Sequence, residues 1–184
     1  MAEFDLSKVD KNFAVECKIT EPDMKLYDIR ENPFQIYGLY DPKNQEVFKR
    51  LPDEVGLNVN DGVKGLYLYP AGGRVRFCTD SRYIILKAVY PSMHPMAHMP
   101  LTGSAGFDLY IDSEDGLRSH YYRTFVSPHK WDLMKDGYEA RILFPNRQKR
   151  YVTINFPTYN GVDAVYLGLH PFNGKYCFLH KTSC

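Results

Sequence analysis

The chain has 184 residues, and its charged side chains, 24% of the total, nearly cancel to leave a net charge of +1. That length suits one domain with a single core. The even balance gives no electrostatic reason to expect nucleic acid or an anionic membrane as partner, and no apolar run approaches the roughly 20 residues that span a bilayer.

The opening residues, Met1 to Glu16, are polar and acidic and lack the basic and apolar regions of a secretory leader. On that ground the chain as it stands reads as cytoplasmic. Residues 1–30 have weak periodicity and read as an irregular arm with one edge strand. From residue 31 to 170, short alternating runs separated by turn residues predict a single all-β domain. Phe34 to Tyr40 is the first strand, followed by a turn over Asp41 to Gln45. Gly65 to Phe77 reads as a hairpin closed by Pro70-Ala71-Gly72-Gly73, with Val75 and Phe77 on one face. Arg82 to Tyr90 places Ile84, Leu86, Ala88 and Tyr90 on one face.

Next, Phe107, Leu109 and Ile111 point inward, with Asp108, Tyr110 and Asp112 opposite. A turn over Asp112 to Gly116 then leads into Leu117 to Phe125, which predicts a second hairpin. A short helix fits His129 to Lys135, after Ser127-Pro128, and further strands fit Ala140 to Phe144, Arg150 to Phe156 and Ala164 to Leu169. The expected fold is an antiparallel two-sheet sandwich of jelly-roll type. Fifteen tyrosines and eleven phenylalanines suit such strands, and they equally suit a surface that binds by stacking.

Candidate chemistry is sparse. Ser104 sits in Gly103-Ser104-Ala105-Gly106, but a hydrolase elbow needs G-x-S-x-G between a strand and a helix, and here a strand follows. It therefore reads as a turn residue. His94 and His98 are four apart, a spacing that holds zinc on a helix, yet Pro91, Pro95 and Pro100 forbid a helix and no third ligand is evident. The four cysteines, Cys17, Cys78, Cys177 and Cys184, show no C-x-x-C spacing, so no metal and no cofactor is implied and the thiols read as reduced. Asp108 stands on a strand, where a lone acid more often pairs with a neighbour than catalyses. The loop Pro91 to Pro100 is either a structural cap or a contact surface, since methionine and proline make an adaptable apolar patch. On the second reading, His94, Met96, His98, Met99, Asp108 and Tyr110 would contact a ligand or another domain. Outward Tyr121, Tyr122 and Tyr159 could form a sugar-stacking platform.

Five blocks in order carry a resemblance: Phe48 to Pro52, Gly72 to Ser81, Met96 to Tyr110, Phe156 to Val162 and Tyr166 to Leu169. Together they resemble the N-terminal β-sandwich of the G-x-D-L-Y class of SGNH (GDSL-like) hydrolases, with the signature on Gly106, Phe107, Asp108, Leu109 and Tyr110. In that family the sandwich, similar in shape to a carbohydrate-binding module, precedes a separate α/β domain that carries the catalytic serine and Asp/His residues. The resemblance implies an accessory domain with no catalytic residues of its own, whose Met96-to-Gly106 loop faces the active-site cleft. After Leu169 the family continues into its nucleophile block, whereas this chain runs through residues 171–184 with Lys181 where that block has glycine. Ser183 echoes the block faintly and has no base beside it. The expectation is an accessory domain that shapes an acyl-ester or sugar-ester site and is partnered by a hydrolase domain or by a carbohydrate or acyl-ester ligand. The alternatives are a free-standing carbohydrate-binding module and a remnant of a truncated hydrolase.

Overall fold

The computed structural model describes residues 15–171. Among these residues, nine strands form two antiparallel sheets. One holds β1 (Lys25–Asp28), β9 (Ala164–Leu169), β4 (Tyr83–Val89) and β7 (Gly137–Leu143), in that order. The other holds β2 (Gln35–Tyr37), β3 (Arg74–Thr79), β8 (Arg150–Asn155), β5 (Phe107–Asp112) and β6 (Ser119–Phe125). This is the all-β sandwich that the alternating runs predict. No helix among the described residues is long and apolar enough to cross a membrane.

The core lies between the sheets, because alternation drives one face of each strand inward. Val75 and Phe77 of β3, Leu109 of β5, and Val152 and Ile154 of β8 meet Ile84, Leu86 and Ala88 of β4 and Val165 and Leu167 of β9. Phe34, Phe48, Phe107 and Phe125 are fully buried, each contributing roughly 2–3 kcal/mol by burial. Their rings meet edge-on or tilted: Phe34 lies 5.1 Å from Phe77, and Phe48 lies 4.9 Å from Phe156.

The outward face of the five-stranded sheet is polar and internally bonded. Asp112, buried despite facing outward, accepts from Thr153 Oγ1 at 2.6 Å, Ser119 Oγ at 2.6 Å and Arg76 Nη2 at 3.0 Å. Between β5 and β6 the register shifts after Leu109, so that Tyr110 pairs with Tyr121 and Tyr122 is the extra residue. The Tyr122 ring stands 5.0 Å from that of Phe144.

One expectation fails. Gly65 to Phe77 is not a hairpin: Leu66 ends a helix, Asp61–Leu66, that follows a shorter one over Asp53–Gly56. We label these α1 (Asp53–Gly56) and α2 (Asp61–Leu66). Asn60 caps α2 by accepting the Val63 N–H at 2.9 Å. The strand partner of β3 is instead β2, with Ile36 opposite Val75. This β2 is shorter than the predicted run because the chain turns at Gly38, where φ is +76° and a Cβ would lie 2.4 Å from the Gly72 carbonyl oxygen. At the edge of the four-stranded sheet, β1 pairs with β9, Lys25 opposite Leu169. The expected helix over His129 to Lys135 is a single 3-10 turn, Trp131–Met134.

Candidate functional site

The signature segment is built around a tight turn at the end of the sandwich where β4 finishes. Val89 leads into a loop whose first anchor is Met93, buried in the core. The chain then runs exposed to Pro100 and turns through α3 (Leu101–Ser104). Ser104 is fully buried, and its hydroxyl donates to the Pro100 carbonyl at 3.4 Å. Two residues of the β8–β9 connection hold the turn from outside. The Tyr159 N–H donates to the Ser104 carbonyl at 2.9 Å, and Thr158 Oγ1 donates to the Gly103 carbonyl at 2.8 Å. Tyr90 closes it from inside by donating to the Ala105 carbonyl. A serine so enclosed is closed to substrate, and the hydrogen bond its hydroxyl makes among the described residues goes to a backbone carbonyl and not to a base.

Each letter of G-x-D-L-Y has a distinct physical job. At Gly106 a Cβ would stand 2.3 Å from the Thr102 carbonyl oxygen, so only glycine lets the chain leave the helix this closely. Phe107 and Leu109 are fully buried. The Phe107 N–H donates to the Tyr138 hydroxyl at 3.3 Å, and that hydroxyl donates to the Phe125 carbonyl at 3.0 Å. Asp108 faces outward and accepts from Thr124 Oγ1 at 2.6 Å, with the Tyr121 hydroxyl 3.0 Å from the same Thr124 oxygen. Tyr110 meets the Tyr121 ring edge-on at 5.7 Å. Burial pushes the Tyr90 hydroxyl well above its ordinary pKa, and it raises that of Tyr138 as well.

The six candidate residues divide between two surfaces. Met96 and Met99 line an open groove of about 530 Å³ together with Leu101 and Trp131. Pro95, Pro100, His129, Lys130 and Asp132 complete its walls. His94 and His98 are exposed on the same loop, outside the groove lining, and His94 Nε2 lies 3.2 Å from Ser92 Oγ. Among the described residues no three histidine, cysteine or acidic side chains converge as a metal site would require. Asp108 and Tyr110 lie elsewhere, on the outward face of the five-stranded sheet. Trp131 was not among the expected contacts, although it is half exposed and forms one side of the groove. Its signal in the sequence is that the chain's single tryptophan stands three residues after the Ser127-Pro128 turn. Ser183, and Cys177 and Cys184 with it, lie outside the described residues.

Comparison with known proteins agrees with this geometry. No curated protein sequence matches the chain. Among solved structures, one described as a GDSL-like lipase from Bacteroides ovatus superposes with a TM-score of 0.63 at 19% identity, covering 79% of this chain and 40% of its own. The salicylyl-acyltransferase SsfX3 of a tetracycline biosynthetic pathway superposes with a TM-score of 0.55 at 17% identity, over 85% of this chain and 44% of its own. The chain thus spans less than half the length of either structure, and at these identities the likeness is one of fold. Residues 24–173 match the sequence profile of the family described as GxDLY, the N-terminus of SGNH-hydrolase-type esterases, and the chain belongs to that family.

Proposed function

We propose that this domain is a non-catalytic accessory unit of an SGNH-type esterase, docked through its loop end so that it shapes or covers an acyl-ester or sugar-ester site. The observation that carries this reading is the groove between Met96, Met99, Leu101 and Trp131. Tryptophan and methionine are enriched in the desolvated centres of protein interfaces, and a half-exposed tryptophan is the type of side chain that anchors one. The burial of Ser104 supports the non-catalytic part. The sheet order β1-β9-β4-β7 over β3-β8-β5-β6, with β2 added at an edge, supports reading the sandwich as a jelly roll.

The test starts from the genomic sequence beyond Cys184 and beside the reading frame, where the partner hydrolase is to be identified. Adding the purified domain to that hydrolase is expected to change kcat/KM for p-nitrophenyl esters, and Trp131→Ala is expected to abolish the change. A hydrolase indifferent to the domain, or no hydrolase in or beside the frame, overturns the reading.

A second reading, carbohydrate binding, is favoured by the outward face of the five-stranded sheet. There Tyr121 is exposed and meets Tyr110 beside Asp108 and Thr124, combining apolar ring faces with hydrogen-bonding groups. It predicts saturable binding of an oligosaccharide that is lost in Tyr121→Ala. A flat titration across a glycan panel rejects it.

A further inference from the structure

The outward face of the five-stranded sheet carries one continuous row of side chains. The register places Tyr37 of β2, Arg74 of β3, Asn155 of β8, Asp108 of β5 and Thr124 of β6 opposite one another in turn. Their neighbours along the strands, Ile36, Val75, Ile154, Leu109 and Phe125, turn into the core, so the row stands on the solvent side. Over four strand spacings it is about 19 Å long.

Much of this face is satisfied within itself, and the row is not. Beside it, Arg76, Thr153 and Ser119 close on Asp112, and the Tyr151 hydroxyl donates to Glu114 at 3.1 Å. Within the row, the exposed Arg74 guanidinium and the half-buried Asn155 amide stand directly opposite each other. Neither side chain forms a hydrogen bond or ion pair among the described residues. Asp108 accepts from Thr124 through Oδ1 alone, which leaves Oδ2 open. An exposed tyrosine closes each end. Tyr37 donates its hydroxyl to Gln35 on its own strand, and the Tyr121 hydroxyl lies 3.0 Å from Thr124 Oγ1.

The chemistry of the row selects its ligand. A cation, an amide and a carboxylate stand within two strand spacings, about 10 Å, so an anionic ligand would meet Asp108 and a cationic one Arg74. Hydroxyl groups suit all three, because each both donates and accepts. The tyrosine rings at the two ends add apolar faces for the C–H side of sugar rings. The length of the row calls for several linked rings rather than one.

We propose that this row binds a neutral oligosaccharide running across the strands, with ring faces on Tyr37 and Tyr121 and hydroxyls on Arg74, Asn155 and Asp108. The inference rests on the carbohydrate-binding reading, to which it adds the charge, length and direction of the ligand and a second anchor on β2 and β3.

The experiment titrates the full chain with cellohexaose, xylohexaose and mannohexaose, followed by amide NMR, with glucose and hexagalacturonate as separate arms. At least one neutral hexaose is expected to give saturable shifts at both ends of the row, on β2 and β3 and on β6. Tyr37→Ala and Arg74→Ala, both at exposed positions, should each weaken that binding at least about tenfold, the size of one hydrogen bond to a charged group. Binding that is lost in Tyr121→Ala yet unchanged in Tyr37→Ala and Arg74→Ala overturns the row and leaves the carbohydrate-binding reading standing. Glucose binding as tightly as the hexaose overturns the assigned length. Hexagalacturonate binding more tightly than every neutral sugar overturns the neutral class. Silence from all the sugars overturns both the row and the reading beneath it.

Discussion

Gly106 is the residue at which the family signature is least negotiable. A methyl group there would drive the Thr102 carbonyl aside in a turn pinned from both directions. Gly106→Ala is therefore expected to lower stability by about 2 kcal/mol, as overpacking does, read as a fall in the urea midpoint. Asp112 is a different case, since its carboxylate is buried among Arg76, Thr153 and Ser119. Asp112→Ala leaves the Arg76 guanidinium without its counter-charge and is expected to cost about 3 kcal/mol. Tyr83→Phe should go the other way. It removes a buried hydroxyl that bonds nothing among the described residues, so the variant is expected to be as stable as the parent or more so, by up to about 1 kcal/mol. A clear loss of stability in Tyr83→Phe would show that the hydroxyl has a partner after all.

Among the elements, β4 and β7 carry a pH dependence. Burial, reinforced by the negative charges of Glu21 and Asp23, pushes the Tyr83 hydroxyl up to about 12, and burial raises Tyr90 and Tyr138 too. Above pH about 10 an unfolded tyrosine releases its proton while the buried one keeps it, so the folded state holds more protons and loses stability as pH rises. Stability from these groups is whole below pH 10, and the urea midpoint is expected to decline between pH 10 and 12. The decline should be shallower in Tyr83→Phe, and an unchanged slope would contradict the assignment. The same strands show what the sequence made legible. β4, β8 and β9 are read correctly because runs such as Tyr83 to Val89 are apolar on at least one whole face. The hairpin over Gly65 to Phe77 is misread because α2 has no buried residue, and a helix lying on the surface writes no apolar period. Asn60-Asp61, a helix-capping pair, is the sign in the sequence that points to α2, whereas Leu66-Tyr67-Leu68-Tyr69 alternates as a strand would.

Across the whole molecule, the loop end and the outward row from Tyr37 to Thr124 differ in how visible they are in the chain. Met96, Met99 and Leu101 stand within six residues, so the loop end could be found by reading along the sequence, although Trp131 joins them from 30 residues further on. In the row, Tyr37, Arg74, Asn155, Asp108 and Thr124 meet only because β2, β3, β8, β5 and β6 are adjacent in one sheet, and no local pattern announces that. The loop end has one more property. Met93 is seated in the core at its first foot and Ser104 is clamped at its second, while the residues between make few ties to the body of the domain. The span from His94 to Met99 can thus be exchanged wholesale without disturbing what lies beneath it. It is a cassette, and a natural place for a domain of this architecture to acquire a new partner, by divergence or by grafting.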